Sequence, residues 1–428
     1  MLLLHLSDIH FRKSEIGTAQ DPNYRLRSEL IRDVERQCQR LGPADAIVVS
    51  GDIAFAGDPD EFDFATRWLT TLCHSAGCSM ESVFVVPGNH DVVRSSADRN
   101  LVQLLHGQIK TAKSPGSQIA RQLANPDEAR LLYGSLDNYN QFALQFFCTL
   151  LPPERTRVSR DLTLNDGSTL RLWGLNTALV SSSHDREGDL FLDPASFQIT
   201  REPGVINLVV AHHHLSWLGQ ARQLEDVLND VAPIQIFGHV HTNRIDLHRN
   251  YMRLTASAVQ PDPGEGNWEP GYNLIELSVK GEGETRELTI NAHVRVWQTA
   301  PGGFFAKRDR RGQTDLDNFE LSVELEPWRG AFPDAQIVPA QGSLESSLET
   351  GAITTEEGLV SSTVREVALR FYQLSFSQKS EIAGKLQLLE AEDMGQPDHE
   401  RFRRVFIRAY QRGQLEALQQ AVLAAEKG

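Results

Sequence analysis

The chain has 428 residues, 40% apolar and 23% charged, with 57 acidic against 42 basic side chains and a formal net charge of −15. That length exceeds one average domain and supplies ample core, while the acidic field argues against a broad non-specific surface for nucleic acid or anionic lipid. The four cysteines (Cys38, Cys73, Cys78 and Cys148) form no CxxC pair, so reduced thiols in a cytoplasmic protein are expected. No apolar run approaches the roughly 18 residues of a membrane span.

Along the chain, the apolar run Leu2–Leu6 is too short and lacks the basic flank of a signal segment, and reads as a strand ending in Asp8-Ile-His10. Tyr24–Leu41 places Leu26, Leu30, Ile31, Val34 and Cys38 on one helical face. Ala46–Val49 is a second strand, followed by Gly51-Asp52, and Asp60–Ala76 a second amphipathic helix with Phe62, Ala65, Trp68, Leu69 and Leu72. Val83–Val86 leads into Gly88-Asn89-His90-Asp91. Continuous apolar runs alternating with helices predict an α/β layered fold whose strands are covered on both faces. From Ser95 to Leu151 the pattern is helical and interrupts that alternation, an insertion that either caps a site or elaborates the packing.

Leu170–Leu175 resumes the strands, with Asn176 just beyond it and a polar loop Ser181–Gly188 containing His184. Val205–Ala211 leads into His212-His213-His214, and Pro233–Phe237 into Gly238-His239-Val240-His241. Strands are expected to dominate from Tyr251 to about Glu326, with Tyr272–Val279, Glu287–Trp297 and Phe319–Leu325 the clearest. Residues 331–358 hold five acidic and no basic residues, the composition of a linker, so a catalytic domain is expected over 1–330 and a linker over 331–360. Residues 361–428 balance ten basic against nine acidic side chains, and two apolar stripes, Phe402–Ala409 and Leu415–Val422, predict a small all-α domain.

Five of the six apolar runs thus end in side chains that ligate hard or borderline metals. Ligands of an open α/β sheet bind beyond the carboxyl ends of its strands, so the five clusters are expected to converge on one rim. Asp-x-His and Gly-Asp are common by chance. Gly-Asn-His-Asp and Gly-His-x-His are more specific, and the ordered set at strand ends is a strong signal.

The ordered motifs resemble the calcineurin-like metallophosphoesterase superfamily over roughly residues 1–300. The resemblance implies a two-sheet αββα sandwich and a metal-dependent phosphoric ester hydrolase with two divalent ions, manganese first and iron, zinc, nickel or magnesium as alternatives. It implies one ion on Asp8, His10, Asp52 and His241, and the other on Asp52, Asn89, His212 and His239. Asp52 would bridge the pair, with both of its oxygens engaged, and hold a hydroxide between the ions for attack on phosphorus. His90 would be the catalytic non-ligand. Asp91 would either orient it or bond the loop. His212 is preferred over His213 as ligand because it directly follows the strand. His213, His184, Arg12 and Asn176 are candidate substrate contacts.

The opening Leu-Ser-Asp-Ile-His-Phe resembles the cyclic-nucleotide phosphodiesterase and DNA-repair exonuclease branches, so a diester, small or at a strand end, is expected over a monoester. The spacing of Leu374, Ile382, Leu386, Phe406, Leu415 and Leu418 resembles effector-associated adaptor domains of bacterial conflict systems. On that reading the chain is an effector whose tail recruits a partner or self-assembles. The alternatives are a helical pair packed on the catalytic domain and a dimer interface. A binding protein with a dead site would have lost a ligand, and none is missing here. No membrane partner is expected.

Overall fold

A computed structural model describes residues 1–152, 155–262, 264, 268–307, 319–328 and 362–426. The acidic stretch 331–360 lies outside the described residues.

The chain begins β1 (Leu2–Leu6), α1 (Tyr24–Leu41), β2 (Ala46–Val49), α2 (Pro59–Ala76), β3 (Val83–Val85). The insertion follows as α3 (Arg94–Ala97), α4 (Asn100–Thr111), α5 (Pro115–Leu123), α6 (Pro126–Tyr133) and α7 (Asp137–Ala143). Then come β4 (Arg157–Thr163), β5 (Thr169–Leu175), β6 (Val205–Ala211), α8 (Ala221–Val231), β7 (Ile234–Phe237), β8 (Arg244–Leu247) and β9 (Met252–Thr255). Four further strands are β10 (Gly271–Lys280), β11 (Glu287–Thr299), β12 (Gly302–Ala306) and β13 (Phe319–Glu324). The C-terminal helices are α9 (Ser362–Gln373), α10 (Phe376–Lys385), α11 (Asp398–Gln411) and α12 (Leu415–Ala425).

These strands form two sheets. One runs β12-β11-β10-β1-β2-β3, with β13 also on β11, and the other runs β4-β5-β6-β7-β9-β8. β1, β2 and β3 are parallel, as are β5, β6, β7 and β9. Every residue of β1, β2, β3 and β7 is buried, the reason those segments read as unbroken apolar runs. One continuous core contains side chains of both sheets and of the insertion. The sheets approach closely where Gly174 of β5 meets β3, since a methyl there would lie 2.7 Å from Val86 Cγ1 and 3.0 Å from Phe84 Cζ.

The ligand-bearing strands are therefore divided. β1, β2 and β3 belong to one sheet and β6 and β7 to the other, so the rim is shared by two sheets rather than supplied by one. All five are parallel strands of their own sheets, and their carboxyl ends meet at one end of the sandwich.

α2 starts at a capping box in which Asp58 caps the helix and Glu61 reaches back to the Asp58 amide. The Glu61 carboxylate also accepts the amides of Lys13, Phe55 and Ala56, fixing the loop after Asp52. In the insertion, the Tyr139 hydroxyl of α7 donates to the Val85 carbonyl at 3.1 Å and Asn138 donates to the Gly57 carbonyl at 2.8 Å. Most of the insertion is thus packing against the core. Its first turn, Arg94–Asp98, reaches the Ser181–Gly188 loop, where Asp98 accepts the Ser183 amide at 3.1 Å.

The C-terminal helices have their own core of Val367, Phe371, Ile382, Phe402, Phe406 and Leu418, which also takes in Leu144 from just after α7. A buried ion pair, Arg155–Glu400 at 2.8 Å, ties α11 to the segment before β4. Among the described residues no helix is long and apolar enough to cross a membrane.

Candidate metal centre

Seven non-glycine residues among those described have φ in the left-handed region, and five of them are Asp8, His10, Asp52, His239 and His241. Such backbone costs roughly 1 kcal/mol or more per L-residue and persists where function requires it. Here it turns each side chain off the end of its strand and into the rim.

The two carboxylates are held alike. Asp8 Oδ2 accepts the Ser7 hydroxyl at 2.5 Å and the His239 amide at 3.1 Å, which leaves Oδ1 facing His241 Nε2 at 3.1 Å. Asp52 Oδ1 accepts the His90 amide at 2.7 Å, which leaves Oδ2 facing His10 Nε2 at 3.3 Å and His212 Nε2 at 3.1 Å. The two Asp52 oxygens thus have different neighbours in the fold. One oxygen holds the fold, and a single oxygen stands between the two donor sets.

His212 donates from Nδ1 to the Ser50 carbonyl at 2.8 Å, so its Nε2 is the atom turned to Asp52 and to Asn89 Oδ1, also at 3.1 Å. Its neighbour His213 is equally buried. Its Nε2 lies 3.1 Å from the same Asn89 oxygen, and its Nδ1 meets the Thr177 hydroxyl at 2.9 Å. Ligand atoms of His212, His213 and His239 lie within 4.8 Å of one another. The same holds for Asp8, His10 and His241, for Asp8, Asp52 and His212, and for His10, Asp52 and His90.

Carboxylate oxygens, an amide oxygen and imidazole lone pairs at such spacing repel unless a proton or cation lies between them. The set fits divalent cations of the borderline class, which accept both nitrogen and oxygen. Burial is the largest influence on His239, and lowers it to about 3. Burial likewise pushes His90 down and His213 well down. Burial would also lower His212, but the charges of Asp52 and Asp8 outweigh it and raise the ring to about 9. Burial would raise both carboxyls, but His241 and His212 hold Asp8, and His212 and His10 hold Asp52, below the ordinary range.

Glycines make the close approach feasible. A methyl on Gly88 would lie 2.1 Å from Asp52 Oδ1, and one on Gly51 2.5 Å from His212 Nδ1.

His90 donates from Nδ1 to the Phe55 carbonyl at 2.7 Å, and its ring lies 5.0 Å from the Phe55 ring. Asp91 accepts the Ala54 amide at 2.8 Å and the Gly88 amide at 2.9 Å. Of the two roles open to Asp91, the structure gives it the loop, and the acceptor that orients His90 is Phe55. Arg12 stacks over the Phe55 ring at 3.7 Å and pairs with Asp262 at the edge of the site. His184 is exposed and bonded to Ser183, away from the ligand groups. Asn176 is buried, and its Oδ1 accepts the Ala178 amide at 3.0 Å. His214 caps the turn at Leu215–Trp217.

Three neighbours were not anticipated. Trp217 packs edge-on against His239 at 4.2 Å, Thr177 fixes His213, and Arg94 reaches to 3.5 Å from His90 Nδ1. Arg94 alone had a sequence signal, four residues beyond His90. The other two depend on loop paths that no local pattern encodes.

A family model described as calcineurin-like phosphoesterase matches residues 1–243, and one described as GTPase-associated adaptor domain matches residues 363–424. An uncharacterized metallophosphoesterase-like protein of Bacillus subtilis (strain 168), YydB, is 22% identical over 343 residues, covering 76% of this chain and 66% of that protein. Among solved structures, purple acid phosphatase PPD1 from yellow lupin (Lupinus luteus) is 12% identical over 76% of this chain and 54% of its own, with a TM-score of 0.39. A predicted phosphoesterase from Streptococcus pneumoniae TIGR4 is 12% identical over 75% of this chain and 97% of its own, with a TM-score of 0.28.

Proposed function

Because the chain belongs to the calcineurin-like phosphoesterase family, and so to metal-dependent phosphoester hydrolases, we propose that it is a dinuclear phosphodiesterase. The observation that carries this reading is the convergence of the four overlapping ligand groups at the meeting point of five strand ends. One ion is assigned to Asp8, His10, Asp52 and His241, and the other to Asp52, Asn89, His212 and His239, with His213 beside the second. When bound, a pair of divalent cations supplies an activated water and neutralises phosphoryl charge.

The chain's own residues do the rest. Asp52 Oδ2 sets the separation of the two donor sets, and its other oxygen, through the His90 amide, locks the His90 loop to them. The Phe55 carbonyl fixes the proton on His90 Nδ1, so proton delivery to the leaving oxygen falls to Nε2. The carbonyl also stabilises the imidazolium form that carries this proton. Two carboxylates against two dications leave a positive centre that attracts a phosphate anion.

Manganese is the proposed pair, and the cytoplasm the proposed compartment. The test is a metal-screened hydrolysis panel comparing an aryl monoester, an aryl diester, 2′,3′- and 3′,5′-cyclic nucleotides, and single- and double-stranded DNA. The reading expects diester activity that requires metal and is lost in Asp52→Asn. Full activity in that variant, or cleavage of the monoester alone, would contradict it.

A second reading concerns the tail and rests on the match over residues 363–424. We propose domain limits of 1–330 and 361–428, with the helical domain recruiting a GTPase-associated partner or a second copy. Residues 1–330 should retain hydrolysis, and residues 355–428 should self-associate or retain a partner. A monomeric tail that binds neither would remove this reading while leaving the catalytic one intact.

A further inference from the structure

Cations near the centre are mostly countered. Arg12 pairs with Asp262, and Lys13 with Asp58 and Asp60. Arg94 differs, since no carboxylate lies within 4.0 Å of its guanidinium among the described residues. It is exposed, and among the described residues its close polar contact is Nη2 at 3.5 Å from His90 Nδ1. That nitrogen already donates to the Phe55 carbonyl, so Arg94 gains little there and keeps nearly all its donors. It stands where the insertion meets the Ser181–Gly188 loop, anchored there by Asp98 on Ser183.

In a chain of net charge −15, a guanidinium that feels Asp185 only at longer range and stands beside the acid of a phosphoesterase is suited to an anion. Its planar fork matches phosphate oxygens in pairs. Its position selects which phosphate. His90 serves the leaving oxygen, and Arg94 is the cation beside His90. We propose that Arg94 binds a second phosphate carried by the leaving group. The substrate class is then a diester whose departing alcohol is itself phosphorylated, as in a terminally phosphorylated dinucleotide or a short oligonucleotide end. The proposal rests on the role given to His90 in the preceding reading.

The test uses the full chain loaded with manganese and two dinucleotides, TpT and pTpTp, the second carrying a phosphate on whichever nucleoside departs. Wild-type protein should show the lower KM for pTpTp. Arg94→Ala should raise the KM for pTpTp about tenfold more than that for TpT, the loss of one charge-assisted interaction. Arg94→Lys should restore part of the difference, and metal content should match wild type in both variants. Equal KM changes on the two substrates would overturn the proposal, placing Arg94 on the scissile phosphate or outside the site. Failure of wild-type protein to cleave either dinucleotide or an aryl diester would instead overturn the phosphodiesterase reading and the proposal with it.

Discussion

Gly88→Ala is the smallest change that should disable the centre without touching a ligand. A Cβ at this position lies 2.1 Å from Asp52 Oδ1, 2.6 Å from the Asp52 amide nitrogen and 2.8 Å from its carboxyl carbon. Even a tight contact requires a displacement of about 1 Å, and two of the three opposing atoms belong to the Asp52 side chain. Either Asp52 rotates, which breaks its bond from the His90 amide, or the loop carrying Asn89 and His90 retreats. Both routes separate the two halves of the metal site. Misplacement of about 1 Å typically costs about a hundredfold in rate, and disturbed ligand support about 10- to 100-fold in metal affinity. The cost in stability should be smaller, about 1–3 kcal/mol, because the methyl adds to a packed interior without burying a charge. Manganese binding by calorimetry and diester hydrolysis at graded manganese should show weaker binding and a kcat that excess metal does not fully restore. Wild-type affinity and kcat in a folded Gly88→Ala protein would refute the reasoning.

His90→Asn should retain bound metal while kcat falls about 10²- to 10⁴-fold, measured by metal analysis and steady-state kinetics; loss of metal instead would reassign His90 as a ligand. Glu400→Gln removes the buried Arg155–Glu400 ion pair and should loosen the docking of the C-terminal helices, seen as earlier proteolysis of the tail; unchanged proteolysis would show that the pair does not hold the interface. His106 is buried in α4 with neither ring nitrogen hydrogen-bonded, and burial lowers it to about 4. Its unfolded value of 6.5 is higher, so the unfolded chain binds the extra proton first. Stability is full above pH 6.5 and falls as pH drops toward 4, by as much as about 3 kcal/mol. Melting temperatures across that range should flatten in His106→Leu, and an unchanged slope would exclude this residue as the cause.

Much of the fold was legible because buried parallel strands leave unbroken apolar runs. The limits of β1, β2, β6 and α1 coincide with the expected segments. β4 and β8 escaped because they are edge strands of mixed exposure, such as the alternating Arg157–Thr163, while β9 and β12 fall in the stretch expected to be strands without having been delimited. The division of the ligand strands between two sheets does not follow from strand-end motifs, which look alike whichever sheet carries them. The seven proposed metal ligands and His90 stand out in the sequence for the same reason: each follows its strand within a few residues. What was hidden is how the supporting atoms are shared. That Asp52 keeps one oxygen for the His90 amide, that Phe55 rather than Asp91 orients His90, and that Glu61 fixes the Phe55 loop are contacts set by turns of left-handed backbone.

The central claim is that two ions share Asp52. Metal stoichiometry of the full chain, measured by mass spectrometry after equilibration with manganese, tests it directly. The account predicts two ions per chain, falling to one or none in Asp52→Asn. A single ion in the wild-type chain, or two in the variant, would contradict it.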